Sequence, residues 1–237
     1  MANRCVQWMS GVLIRLSKIH SRKGLYPFLK CEFEQIHSGQ TVLNVGASGE
    51  IGAMLSLSAD KQGFSVLSLD VDSKRNPDIV ADFHEWRTDC QFDVVVMAEV
   101  LEHCHSPNRA IKTVEQVLRG GGKLILTTPF IFPIHDAPYD YYRFTKFGLA
   151  HLLANFAEVH IEERNQWTEG ILVLLVRLVM EKSKICRIVS PLFIGVAFIL
   201  WPLAWLLARV LKATHITTGY CVTACKGRGS DDSLESV

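Results

Sequence analysis

Five groups of residues in this chain have types and spacings that could do chemistry. The first is Val42-Leu43-Asn44-Val45-Gly46-Ala47-Ser48-Gly49-Glu50-Ile51-Gly52, an apolar run that ends in small residues. Small side chains at Gly46, Ala47, Ser48 and Gly49 let backbone come close to a ligand, and a helix starting there offers it unpaired N–H groups. The second group, Asp70 with Val71, ends the next apolar run. A carboxylate at that distance from a glycine turn can accept both hydroxyls of a ribose. Strand, glycine turn, helix, strand and acid in this order point to an adenosine-containing cofactor.

The third group is Ala81-Asp82-Phe83, and the fourth is Glu99-Val100-Leu101-Glu102-His103. In a helix Glu99, Glu102 and His103 would stand at i, i+3 and i+4 and share a face. The fifth runs from Thr128 to Thr145 and contains His135, Asp136, Asp140, three tyrosines and Arg143. An imidazole titrates near neutrality, which makes His135 beside Asp136 a candidate base. Arg143 could hold a phosphate or carboxylate in a bidentate fork. Each has a plain structural alternative: a tight turn at Gly46, a loop cap at Asp70, a helix N-cap at Asp82, a loop hydrogen bond at His135, an internal pair of Arg143 with Asp140.

The elements that must position these residues are legible from periodicity. Thr41–Val45, Ser65–Leu69, Asp78–Ala81, Phe92–Met97 and Lys123–Thr127 are short, mostly continuous apolar runs, the pattern of strands buried on both faces. Helix-length segments lie between several of them, among them Ala110–Leu118, stopped by Arg119 and Gly120-Gly121-Gly122. Such alternation predicts an α/β fold with a parallel sheet, with Glu158–Glu162 and Gly219–Cys225 as later strands. Ligands of such sheets bind outside the carboxyl ends of the strands, which is where the five groups fall. A net charge of +1 from 25 basic and 24 acidic residues leaves no polyelectrolyte footprint for nucleic acid. The 7 cysteines have no C-x-x-C spacing that could seed a zinc site and read as reduced thiols of a cytosolic protein.

The order of these motifs resembles the class I S-adenosylmethionine-dependent methyltransferases, in the broad group of ubiquinone-type and bacterial glycan-cluster enzymes. The resemblance covers about Gln40 to Ala154 and the final strand. It rests on Val42 to Gly49, Asp70, Ala81-Asp82-Phe83, the Phe92–Val96 run leading to Glu99 through His103, and Leu118-Arg119-Gly120-Gly121-Gly122-Lys123-Leu124. It implies a Rossmann-like seven-stranded, mostly parallel sheet with an antiparallel last strand. It implies S-adenosylmethionine as cofactor, with Gly46, Ala47, Ser48, Gly49 and Glu99 near the methionine end, Asp70 and Val71 at the ribose, and Asp82 and Phe83 at the adenine. In some relatives a Glu-x-x-Glu-His triplet binds a divalent cation, which would make Glu99, Glu102 and His103, with His135 as a fourth donor, a possible metal set. The His135 loop resembles that of glycan-cluster methyltransferases and should face the transferred methyl. Asn44 and Ser48 replace the usual acid and glycine, which keeps a non-catalytic binding module open as a reading. Gly46-x-x-Gly49-x-x-Gly52 with Tyr142-x-x-x-Lys146 also resembles short-chain dehydrogenases that use NAD(P), although the interval from turn to tyrosine is short for that family.

The segment from Arg164 to Thr218 breaks the alternation. Ile171–Met180 is apolar but for Arg177, and Ile188–Ala208 carries no charge. As a helix the second run would be roughly 31 Å long, enough to cross a bilayer core. Strands on both sides of it must return to one sheet, so a single crossing is excluded. The expectation is a monotopic helix, a re-entrant hairpin or a buried helix, with Pro191 and Pro202 bending it and Trp201, Trp205, Arg209 and Lys212 suited to an interface. A dimer contact or an apolar cap is the soluble alternative. Val6–Leu16 lacks the pattern of an export signal and reads as a helix with Val6, Met9, Leu13 and Leu16 on one face. The resulting organisation is an N-terminal helical segment at 1–39, a cofactor-binding core at 40–163, a hydrophobic insertion at 164–218, a final strand at 219–226 and a disordered tail at 227–237. The expected protein is cytoplasmic and peripheral to the inner face of the membrane, touching it through 188–211. Its expected partner is a small-molecule, lipid or glycan acceptor.

Overall fold

The computed structural model describes Arg15, Lys18 and residues 22–46, 49–181, 183–213 and 215–228. The helix expected over Val6–Leu16 lies, but for Arg15, outside the described residues, as does the tail from residue 229. The chain divides into two compact units. One comprises Pro27–Pro129, Asp136–Glu162 and Tyr220–Val237, the other Met1–Tyr26, Phe130–His135 and Glu163–Gly219.

Seven strands form one sheet: β1 (Thr41–Val45), β2 (Ser65–Asp70), β3 (Ile79–Val80), β4 (Phe92–Ala98), β5 (Leu118–Pro129), β6 (Glu158–Glu163) and β7 (Gly219–Cys225). Their order is β3-β2-β1-β4-β5-β7-β6. The first five are parallel neighbours, with Val42 beside Val66 on one side and Val94 on the other. β7 runs the opposite way. Gly121 at the start of β5 donates to the Lys226 carbonyl, while Phe130 just past its end donates to Thr218. Val42, Leu43, Val95, Val96, Leu124, Ile125 and Leu126 are fully buried. Each such side chain contributes about 1.5–3 kcal/mol by leaving water, and that core fixes the register of the strand ends that carry the site.

Around the sheet lie α1 (Leu25–Phe33), α2 (Gly49–Gln62), α3 (Pro107–Val117) and α4 (Lys146–Leu152). α3 starts three residues before the expected helix, because Ser106 precedes a proline whose missing N–H costs nothing at a first helical position. β5 likewise starts five residues early. The triple glycine was expected to separate helix from strand, yet the strand runs through it with a register shift between Phe92 and Val94. Gly121 sits at φ +76°, and a Cβ on Gly122 would come within 3.1 Å of the Asp93 carbonyl oxygen. The glycines let the strand bulge where side chains would break it.

The second unit is built on α5 (Trp167–Arg177) and α6 (Lys184–Val210), joined through a 3₁₀ turn at Leu178–Met180. Gln166 and Glu169 close a capping box that starts α5. Leu172, Val176 and Val179 pack with Ile194, Ala197 and Ala204. The Thr168 hydroxyl donates to the Ala204 carbonyl at 2.8 Å and Trp167 Nε1 to that of Leu211 at 2.7 Å. Lys23 pairs with Glu169 at 2.6 Å and lies over the Trp201 ring. α6 continues through Pro191 and Pro202. Each proline removes one helical N–H without ending the helix, and these are the places where bends were expected.

Candidate active site

Because β1 to β4 are parallel, the residues that follow them lie along one edge of the sheet. Gly46 follows β1 at φ +80°, and a Cβ there would lie 2.4 Å from Val100 Cγ2. The position therefore excludes every other residue on two counts, left-handed backbone and lack of room. Its N–H donates to the Leu69 carbonyl at 2.8 Å and ties the end of β1 to that of β2. α2 begins three residues later at Gly49, also left-handed at φ +81°. Ala47 and Ser48, expected at the same ligand, lie outside the described residues.

Asp70, the last residue of β2, is buried. Its carboxylate accepts from the Asp72 N–H at 2.9 Å and from Arg75 at 3.2 Å. Val71 beside it is exposed. Past β3, Asp82 accepts both the backbone N–H and the Nδ1 of His84. Burial pushes the Asp82 carboxyl up, but the bonds from His84 and the charges of His84 and His105 outweigh it and hold the group below its ordinary value. The Phe83 ring is buried, 6.4 Å from that of Trp86. Its side chain belongs to the core, leaving its backbone as the part that can meet a ligand. Asp82 also accepts the Glu85 and Trp86 N–H groups at its carbonyl, so it opens a turn, but no helix follows it and the N-cap alternative does not hold.

Glu99, Glu102 and His103 do not share a helical face. Glu99 has φ +58° and only Leu101–His103 form a single 3₁₀ turn. The strain at Glu99 is imposed by long-range bonds: its N–H reaches the Thr127 carbonyl at 2.9 Å, and the Thr127 hydroxyl donates to its carboxylate at 3.0 Å. Glu102 is fully buried and takes the Thr128 hydroxyl at 3.4 Å. Its carbonyl accepts the N–H groups of Tyr141 and Tyr142, while His103 Nδ1 donates to the Tyr139 carbonyl at 2.8 Å. The helical face expected to gather Glu99, Glu102 and His103 is therefore absent, although Glu102 and His103 still bring ligand atoms to within 4.8 Å of each other, and both also anchor the tyrosine loop.

The fork expected to clamp a substrate anion at Arg143 is on Asp140, at 2.5 and 2.6 Å from its two oxygens. The bond to Asp140 raises the guanidinium against the opposing effect of burial, and the charges of Asp140, Glu102 and Glu99 raise it further. Arg143 is therefore a permanent cation that holds the loop. Burial drives the neighbouring Cys104 thiol up to about 12, which rules it out as a nucleophile near neutrality. His135 belongs to the other unit, where its ring meets Phe132 edge-on at 5.7 Å and Arg177 lies over the same Phe132 ring at 4.9 Å.

A family model described as a methyltransferase domain matches residues 16–167, more than half of the chain. The chain belongs to that family. A curated relative, the ubiquinone biosynthesis O-methyltransferase of Coxiella burnetii, is 29% identical over 154 residues, 56% of this chain and 62% of its own length. Among solved structures, a SAM-dependent methyltransferase from Archaeoglobus fulgidus superposes with TM-score 0.57 at 14% identity over 87% of this chain and 95% of that one. Phosphoethanolamine N-methyltransferase 2 of Haemonchus contortus, in complex with S-adenosyl-L-methionine, gives 0.54 at 15% identity over 83% and 51%. These likenesses establish the class I methyltransferase fold, and the chain spans about half to two thirds of the Coxiella and Haemonchus proteins. For this methyltransferase domain the dehydrogenase assignment of Tyr142 gives way to a packing one: its hydroxyl donates to the His105 carbonyl and its ring stacks on Phe144 at 5.6 Å.

Sequence reasoning missed three residues that set this edge. Val100 closes over Gly46, Thr127 fixes Glu99, and His84 pairs with Asp82. Only His84 left a readable signal, as part of Asp82-x-His84 facing the similarly spaced His103-x-His105.

Proposed function

We propose that this chain is an S-adenosylmethionine-dependent methyltransferase that methylates a hydroxyl of a lipid, quinone-like or lipid-linked glycan acceptor, working at the cytoplasmic face of a membrane. The observation that carries it is the cradle at Gly46, where left-handed backbone and the 2.4 Å approach of Val100 keep side chains out beside the start of a helix. A turn whose backbone is bare of side chains suits the methionine end of the cofactor. Gly46 and Gly49, with Ala47 and Ser48, would hold that end; Asp70 and Val71 the ribose; Asp82 and the Phe83 backbone the adenine. Asp70 can take a ribose only if half-exposed Arg75 yields one carboxylate oxygen, a side-chain rotation. The bound cofactor supplies an electrophilic methyl carbon on a sulfonium.

A hydroxyl must lose its proton as it attacks, and the residue assigned to receive it is His135, at a ring nitrogen. Positioning provides much of the remaining rate in a displacement of this kind. Tyr139, Tyr141 and Tyr142, held by Glu102, His103 and Arg143, shape the loop through which an acceptor enters and exclude water there.

The lipid part of the reading is supported by α6. Ile188–Val210 is long and apolar enough to cross a membrane, and less than a quarter of its most apolar stretch is buried. Ile188, Leu192, Ile199 and Val210 are each more than two-thirds exposed. Arg209 lies over the Trp205 ring at 3.7 Å, an arrangement suited to headgroup depth. β6 and β7, which flank the helical pair in the chain, belong to one sheet. A hairpin entering one leaflet satisfies both facts, and a crossing does not. The curated relative's printed name, a ubiquinone biosynthesis O-methyltransferase, is in keeping with an apolar hydroxyl acceptor.

The test is to incubate the purified chain with methyl-labelled S-adenosylmethionine and a membrane lipid extract, then partition the products. Label should enter the organic phase in a time-dependent way. Label carried only by water-soluble acceptors would remove the lipid assignment.

A further inference from the structure

Away from the glycine turn, Asp82, His84 and His105 bring one ligand atom each to within 4.8 Å of one another. We propose that this cluster is a binding site for a divalent transition-metal ion of the zinc type, with His84 and His105 as its imidazole ligands and Asp82 as the carboxylate that orients His84. The inference does not depend on the cofactor reading above.

Its basis is the state of His84. Nδ1 lies 2.6 Å from Asp82 Oδ1, and the same oxygen accepts the His84 backbone N–H at 3.0 Å. In the neutral imidazole, a carboxylate acceptor fixes the proton on Nδ1 and leaves the lone pair on Nε2. His84 is more than nine-tenths buried and its Nε2 has no hydrogen-bond partner among the described residues. A buried lone pair with nothing to accept calls for an electrophile. The ring of His105 stands beside it, centroid to centroid 4.4 Å at an interplanar angle of 65°. His105 is exposed, so an ion has an approach from solvent.

A carboxylate behind an imidazole whose other nitrogen is free is how proteins commonly set a histidine for metal. Two imidazoles favour zinc, nickel or copper over magnesium or calcium, which prefer oxygen donors. Bonds of about 2.0–2.1 Å to each nitrogen require only that exposed His105 swing toward His84, and water completes the coordination. Such an ion would clasp the segment after β3, which carries Asp82 and His84, to the segment entering α3, which carries His105.

Titration of the chelator-treated full chain with Co²⁺, followed by visible absorption, and with Zn²⁺, followed by calorimetry, tests this. One equivalent of Zn²⁺ should bind, and affinity should fall at least tenfold in His84→Gln and in His105→Ala. The second substitution is at an exposed position and keeps the test usable should the first misfold. His103→Ala, which removes an imidazole outside the cluster, should bind like the wild type. Loss of binding in His103→Ala with retention in His105→Ala, or no saturable binding by the folded wild type, overturns the proposal.

Discussion

Along the carboxyl edge of the sheet, polar side chains are buried or half-buried and tied down: Asp70 to Arg75, Glu99 to Thr127, Glu102 to Thr128. Along α6 the reverse holds, for Ile188, Leu192, Ile199 and Leu206 are apolar and exposed. Each region departs from the ordinary arrangement of a globular surface and interior, in opposite directions. Buried polar groups cost stability unless every partner is in place, and the sheet edge supplies them from several strands. Exposed apolar groups cost solubility unless something covers them. The first departure is what a preformed site requires; the second, on the function proposed above, is the surface that meets the membrane.

The largest effect expected is on the helical side. Replacing Ile188, Leu192, Ile199 and Leu206 together by serine removes side chains worth about 1.5–3 kcal/mol each when buried in lipid. Cosedimentation with phosphatidylglycerol vesicles should fall from nearly complete to background, while the folded sheet remains visible by circular dichroism. Unchanged recovery would move α6 from the bilayer to a cap or a dimer contact.

On the sheet side, Gly46→Val combines a left-handed backbone with a Cβ clash. It should lower stability by about 2–5 kcal/mol, read from the urea midpoint. A midpoint within experimental error of the wild type would mean that the cradle is not rigid. His135→Ala should reduce turnover roughly a hundredfold without weakening cofactor binding. Turnover within a few-fold of wild type would take the base role from His135.

The smallest effect expected concerns acid. Burial pushes the Asp93 carboxyl up, but the Thr41 N–H, Arg119 and the Thr41 hydroxyl outweigh it and keep the group below its ordinary value. Asp78 is lowered by its bonds to Ser68. A carboxyl depressed in the folded state adds stability above its unfolded pKa of about 3.9 and loses it as pH falls through the folded value. The urea midpoint should therefore be flat from pH 7 to 5 and drop below pH 4, with a shallower drop in Asp93→Asn. An equal drop in both would assign the acid sensitivity elsewhere.

Much of the sheet was legible because its signal is local. β1 and β7 fall where continuous apolar runs place them, at Thr41–Val45 and Gly219–Cys225. The errors lie where distant partners decide. Spacing alone put Glu99 on a helix with Glu102 and His103, but Thr127, far along the chain, holds Glu99 left-handed at the end of β4. The triple glycine read as a stop, and only pairing with β4 turns it into a bulge. Arg143 carried a fork suited to a substrate anion or to nearby Asp140, and the fold decides for Asp140. Residue types announced the chemistry; which polar groups satisfy each other is a property of the folded edge.

Calorimetric titration of the purified chain with S-adenosylhomocysteine, S-adenosylmethionine and NAD tests the account at its centre. It predicts saturable binding of the first two at one per chain, no binding of NAD, and a loss of about 1–3 kcal/mol in a folded Asp70→Ala variant. A folded wild type that binds neither sulfur compound, or that binds NAD in their place, would contradict it.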